Sequence, residues 1–269
     1  MAIYDCFQFF DEEHILDLRL NILHEYIDFF VIVESTTDHQ GKSKKLNFDS
    51  KKFKKFNNKI IYIVVDDTEE SIRRPHTGGE SLVEQHQRNS LTRGLKNCSD
   101  EDLIILSDVD EIPNPSKLNM FDKKNKYAVF SQKMFNYKIN LLNETENNWH
   151  GSKICLKKDL KSPQWLRNLK FKKYPFWRID KIRNLQIIED GGWHFAYLKS
   201  PEDILKKIKS SAHGEFNKAD FANRENIEKK INKGIDIFDR GITYRKVQID
   251  NTFPKYIIEN KDKFKEWII

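Results

Sequence analysis

Asp108-Val109-Asp110, followed by Glu111, is the stretch of this sequence whose residue types and spacing best suit chemistry. In an extended segment alternate side chains face the same way, so Asp108 and Asp110 can converge while Val109 turns inward. Carboxylates that close repel one another unless a cation lies between them. Oxygen donors suit Mg2+ or Mn2+, which complete their coordination from water and substrate phosphates. A solvated acidic turn is the plainer reading of a lone Asp-x-Asp. Here the preceding Leu103-Ile104-Ile105-Leu106 run fixes its position, and Ile112, Pro113 and Pro115 stiffen the loop after it. A cation at such a turn would neutralise charge on a departing diphosphate. An attacking hydroxyl would then need a base. Glu189, Asp190 and Glu215 are the candidates. Asp190 ranks first because it immediately precedes Gly191-Gly192, and a useful base would have its pKa raised by burial or by neighbouring carboxylates.

Further candidates surround these. In Gly191-Gly192-Trp193-His194-Phe195 the glycines allow close backbone approach and Trp193 offers a flat face to a sugar ring. Read from its neighbours alone, His194 is an ordinary hydrogen-bonded histidine. His213 competes with it for any metal, and Trp149 suits either the wall of an acceptor groove or the core. Arg73 and Arg74 read first as salt-bridged surface groups. The lysine-rich run from Lys42 to Lys59 reads as a solvated face. From Lys153 to Arg183, by contrast, cations such as Arg167, Lys170 and Arg178 interleave with Trp165, Phe171 and Trp177. That mixture suits a phosphate-bearing ligand. It would also suit nucleic acid, but no nucleic-acid motif accompanies it, and none is expected as a partner.

The elements that must position these groups are read from periodicity. Ile3 to Phe10, Phe29 to Val33, Ile60 to Val65, Leu103 to Leu106 and Tyr127 to Phe135 read as strands. Glu12 to Tyr26, capped by Asp11, and Glu80 to Cys98 read as helices, as do Pro201 to Ser211 and Asn223 to Asp239. Strand, helix, strand in succession predicts an α/β fold with a parallel sheet, whose strand carboxyl ends are the usual ligand edge. With 269 residues, 38% of them hydrophobic and 12% aromatic, and no composition break, one folded domain over 1–269 is expected and disorder is not. The net charge of +6 would attract an anionic ligand. Three distant cysteines, Cys6, Cys98 and Cys155, form no disulfide framework and point to a reducing, cytoplasmic setting. The start, MAIYDCFQFFDEEH, lacks the basic segment of a signal peptide, and no apolar run is long enough to span a bilayer. Peripheral membrane contact stays open.

Several stretches together resemble one family, the β-1,4-N-acetylglucosaminyltransferases of glycosyltransferase family 17 that add the bisecting residue to N-glycans, with their microbial relatives. They are Tyr4 to Glu12, Arg19-Leu20-Asn21, Phe30 to Thr36, Gln87-Arg88-Asn89, Leu106 to Pro113, Gly192 to Phe195 and Lys209 to Glu215. The resemblance implies a glycosyltransferase A-type fold with a Rossmann-like mixed sheet flanked by helices. Residues 1–113 would be mainly the donor half, and 114–269 mainly the acceptor half with the C-terminal helices. It further implies an inverting transfer from a nucleotide sugar, UDP-GlcNAc being the leading donor, to a glycan or glycolipid acceptor. Asp108 and Asp110 would hold Mn2+ or Mg2+, with His194 as a further ligand or diphosphate contact. Glu34 would lie near the base or ribose, and Arg88 and Asn89 would be donor-site residues. The alternatives are a haloacid-dehalogenase-like phosphatase and a glycan-binding module without turnover.

Overall fold

Short β-branched runs alternate with helical periods for most of the first half of the chain, and the elements follow that alternation. In chain order they are β1 (Ile3–Gln8), α1 (Glu13–Leu23), β2 (Phe29–Ser35), β3 (Ile60–Val65), α2 (Leu82–Asn89), β4 (Leu103–Asp108), β5 (Glu111–Pro113), β6 (Tyr127–Asn136), β7 (Leu141–Asn143), β8 (Trp149–Leu156), α3 (Pro163–Asn168), β9 (Leu185–Ile188), β10 (Gly192–Ala196), α4 (Pro201–Ser210), α5 (Arg224–Asn232), β11 (Tyr244–Lys246) and α6 (Lys255–Glu259). This computed structural model describes every residue except 39–40, 74–80, 172–176, 179–181, 183–184 and 211–222, together with the side chains of 206–210. The architecture is α/β, with a mixed, mostly parallel sheet flanked by helices.

Two compact units form. The first is Met1–Ser131 with His150–Gly191, and the second is Gln132–Trp149 with Gly192–Ile269. In the first unit the strand order is β6-β8-β4-β1-β2-β3. β1, β2, β3 and β4 are mutually parallel, β8 runs antiparallel to β4, and β9 is parallel to β6. The chain steps outward from β1 through β2 to β3, then returns to place β4 on the other side of β1. That reversal makes the carboxyl ends of β1 and β4 the topological switch point, where open α/β sheets form a ligand crevice.

One sheet face carries Cys6, Val31, Val33, Ile104 and Leu106 and packs with Leu91, Leu95 and Leu166. The expected helix from Glu80 to Cys98 is shorter than its periodicity suggests: α2 ends at Asn89 and continues as a 3-10 segment, Ser90–Leu95. A Cβ on Gly94 would lie 2.4 Å from Val31 Cγ1, so this segment lies hard against β2. α1 serves the opposite face. Its start has no side-chain cap, against the expectation for Asp11, but its end is closed by Lys59, whose Nζ donates to the carbonyls of His24 at 2.6 Å and Ile27 at 2.8 Å. One lysine of the basic run is thus structural.

In the second unit β10 lies parallel to the later half of β6, β7 antiparallel to it, and β11 antiparallel to β7. Tyr137, Leu141, Ile204, Ile227, Ile231, Ile237 and Tyr244 form its core. Asp236, 1% exposed, accepts from Tyr137, Tyr244 and Arg240. α5 stops at Asn232 rather than continuing to Asp239, because the chain turns there to pair Ile235 with Thr243.

Candidate active site

β4 delivers the acidic turn to the switch point, with Asp108 in register with Gln8 at the end of β1. The turn is not an extended segment throughout, as the alternation argument assumed. Asp108 closes the strand, Val109 and Asp110 form a turn, and Glu111 opens β5. Val109 is nonetheless buried at 7% exposure, as expected. Glu111 folds back so that its Oε2 accepts the Asp108 N–H at 3.0 Å.

The turn is gripped from both sheet faces. From the α1 side, Arg19 is wholly buried and its guanidinium lies 4.5 Å from the Phe7 ring centre. Its Nε and Nη2 donate to the two oxygens of Asp5 at 2.7 and 2.6 Å. Its Nη1 is shared among the carbonyls of Asp108, Val109 and Glu111 at 3.1, 3.2 and 2.7 Å. The Glu111 carbonyl also accepts from Ser152 Oγ, which is itself bonded by Ser107 Oγ. Asp5 thus holds Arg19, and Arg19 holds the main chain of the turn.

From the opposite face come the side-chain partners. Arg167, near the end of α3, places Nη2 2.6 Å from Asp108 Oδ2 and Nη1 3.1 and 3.2 Å from the Glu111 oxygens. Burial works against its charge, but Glu111, Asp108 and Asp110 together hold its pKa above the ordinary arginine range. Arg88 on α2 is 3% exposed, donates to Gln164 at 2.6 Å and Glu84 at 2.5 Å, and reaches Asp108 Oδ1 at 3.5 Å. Lys153 on β8 is 5% exposed and donates to the Arg167 carbonyl. Burial, then the neighbouring Arg167 charge, bring its pKa down to about 8.

The expected site residues fall into distinct groups. Asp108, Asp110 and Arg88 meet at the turn, whereas Asn89 is exposed and accepts the Gln164 N–H at 3.0 Å. Glu34 is fully buried. Its carboxylate accepts from Lys44 Nζ at 2.5 Å, Asn47 N at 2.7 Å, Phe48 N at 3.0 Å and the Tyr62 hydroxyl at 2.9 Å. These contacts tie Glu34 to the 44–48 segment. Asp190 adopts φ 50° in an exposed turn. The closest approach at Gly191 is internal, since a Cβ there would sit 2.7 Å from Phe130 Cβ. In the second unit Trp193 is 6% exposed and its Nε1 donates to the Thr252 carbonyl at 3.0 Å. His194, 8% exposed, packs on Trp149 with ring centres 5.0 Å apart. Glu215, His213 and Arg74 lie outside the described residues.

Asp5, Arg19 and Lys153 were missed as site residues. Asp5 is a charge within β1 and Arg19 lies on the buried stripe of α1, which is itself a signal because a buried charge requires a partner, whereas Lys153 is marked only as one cation of the basic run.

Among the described residues no three His, Cys, Asp or Glu side chains gather where they could together hold a metal ion. Asp108 and Asp110 remain as a pair of carboxylates on one turn, with Asp108 35% exposed. That donor set fits Mg2+ or Mn2+ shared with phosphate and water, and does not fit a closed structural centre.

Comparison with known proteins assigns this arrangement a lineage. The chain is 20% identical to a human beta-1,4-mannosyl-glycoprotein 4-beta-N-acetylglucosaminyltransferase over 94% of its own length and 52% of the relative's. The rat enzyme of that name is 21% identical and the mouse enzyme 20%, with the same coverage. The chain therefore spans about half the length of these relatives. Among the described residues no helix is long and apolar enough to cross a membrane. The family model for glycosyltransferase family 17 matches residues 1–268, and the chain belongs to that family.

Proposed function

We propose that this chain is an inverting, divalent-cation-dependent transferase of glycosyltransferase A-type fold. It would move a sugar, N-acetylglucosamine from UDP-GlcNAc in the first instance, to a hydroxyl of a glycan or glycolipid. The observation carrying this reading is the acidic turn at the switch point, fixed through its carbonyls by Arg19 and surrounded by cationic side chains. The name of the mammalian relatives supplies the sugar. Three cysteines without a disulfide agree with action in the cytoplasm.

Asp108 and Asp110 would hold Mn2+ or Mg2+. When bound, the ion supplies positive charge to the diphosphate leaving group. Arg19 orients the turn without touching substrate. Arg88, anchored by Gln164 and Glu84, lends charge beside Asp108. Glu34 shapes the donor half through the 44–48 segment. On the acceptor side a carboxylate takes the hydroxyl proton as the sugar inverts. Asp190 and Glu215 are the candidates, and His194 is kept as the resemblance's candidate for a further cation or diphosphate contact. Residues 1–113 serve mainly the donor and 114–269 mainly the acceptor, as one catalytic domain.

The test is Mn2+-dependent release of UDP from UDP-GlcNAc, which needs no acceptor. Asp108→Ala and Asp110→Ala should each lower it about 100-fold or more while circular dichroism stays unchanged. Undiminished turnover in both variants would refute the assignment. Sugar binding with no UDP release by the unmodified protein would favour a binding module.

A further inference from the structure

The carboxylate best placed to receive a cation already holds one. Arg167 bridges Asp108 and Glu111, but the two arms differ: Asp108 is 35% exposed, whereas Glu111 is fully buried. The Glu111 arm is an internal anchor, and the Asp108 arm ends at water. Lys153 fixes the main chain behind the guanidinium, and Arg88 stands 3.5 Å from the other Asp108 oxygen. A divalent ion arriving alone meets three positive side chains and must displace Nη2 of Arg167 from Asp108, which like-charge repulsion opposes. A diphosphate reverses the balance. Its oxygens offer the guanidinium the geometry it recognises in a carboxylate.

We propose that Arg167 couples cation binding to diphosphate binding. Pivoting on Glu111, its guanidinium leaves Asp108 for a phosphate oxygen as the ion takes its place, so neither ligand binds well without the other. The inference rests on the transferase reading and adds a residue and an order to it. Because binding linkage is reciprocal, UDP must tighten the ion by the factor by which the ion tightens UDP. Asp110, the other carboxylate of the turn, is the second one offered to the ion.

The experiment measures Mn2+ affinity from the electron paramagnetic resonance signal of the free ion, alone and with saturating UDP. The full chain is compared with Arg167→Met and Arg167→Lys. The unmodified protein should bind Mn2+ at least about ten-fold more tightly with UDP present. Arg167→Met should bind Mn2+ alone more tightly than the unmodified protein, and its gain from UDP should be at least about three-fold smaller, the remainder being the direct contact of ion with phosphate. Arg167→Lys keeps the charge but lacks the fork, and should lie between. A purely structural arginine would weaken Mn2+ equally in both conditions. Unchanged UDP gain in Arg167→Met, or no tightening of Mn2+ alone, overturns the coupling. An unchanged gain leaves the transferase reading standing, whereas Mn2+ binding to the unmodified protein that ignores UDP overturns both, since an ion that contacts the diphosphate must be tightened by it. No Mn2+ uptake even with UDP defeats both. If Arg167→Met loses its near-ultraviolet dichroism, Arg167→Gln is compared with Arg167→Lys by the same criteria.

Discussion

Two arginines meet the same turn and hold carboxylates at similar distances, yet they are different devices. Arg19 and Asp5 are both fully buried, with their closest atoms 2.6 Å apart. Arg167 and Asp108 also approach to 2.6 Å, but are 17% and 35% exposed. Contact geometry is thus nearly constant while access to water changes. Behind the turn, a pair with no water available to either partner can only stay closed. In front of it, a pair reached by water can exchange partners at small cost. The difference teaches that the ion-pair distance does not separate structural from functional charge here, and that exposure does.

The largest expected effect breaks the closed pair. Arg19→Met strands Asp5 in the interior and should lower unfolding free energy by about 3–5 kcal/mol in urea titrations. Arg167→Met should lose roughly 2 kcal/mol, since Asp108 rehydrates and the buried Glu111 does not. Equal losses would erase the distinction. Adding Asp5→Leu to Arg19→Met should recover much of the stability but not UDP release, because the carbonyls of the turn still lack their donor.

Lys153 sharpens the comparison through pH. Its pKa falls from 10.5 in the unfolded chain to about 8 in the fold. Between these values the unfolded chain binds more protons, so stability attributable to this group rises with pH across that window. Below pH 8 the full penalty applies, on the order of 3 kcal/mol. Stability of the unmodified protein relative to Lys153→Met should therefore improve from pH 8 to 10. A flat difference would place the lysine in a wetter setting than the buried position described.

The smallest effect belongs to Glu34. Like Asp5 it is a buried carboxylate, but its donors include two backbone N–H groups and a tyrosine besides its cation. Lys44→Met should cost only about 1 kcal/mol by the same titration. A loss matching that of Arg19→Met would mean that backbone donors cannot substitute for a cation.

What the sequence made legible divides along the same line. An aromatic-rich run located β1, continuous apolar runs located β2 to β4, and the acids after Leu106 located the turn, because strand periodicity and punctuation are local signals. The shape of that turn was not legible. Its carbonyls are held by an arginine some 90 positions away, with separations of 89 to 92 residues. The burial of Trp193 and Glu34 was not legible either, because an aromatic ring or an acid near a loop carries no local mark of the side it faces. Arg167 was visible only as one cation in a basic run, and its distinction comes from α3 aiming it at Asp108. The expected helix is longer than α2, which gives way at Ser90 to a 3-10 segment whose Gly94 lies against Val31, a fit no window of neighbouring residues contains.

The grip of Arg19 falls on carbonyl oxygens, a feature every amino acid brings whatever its side chain. Positions 108 and 110 can therefore be rewritten, for instance from aspartate to asparagine or glutamate, without loosening the peptide frame that presents them. The turn behaves as a socket whose Arg19 mounting is independent of its fittings, so ion preference can be retuned there at the cost of the Arg167 contact.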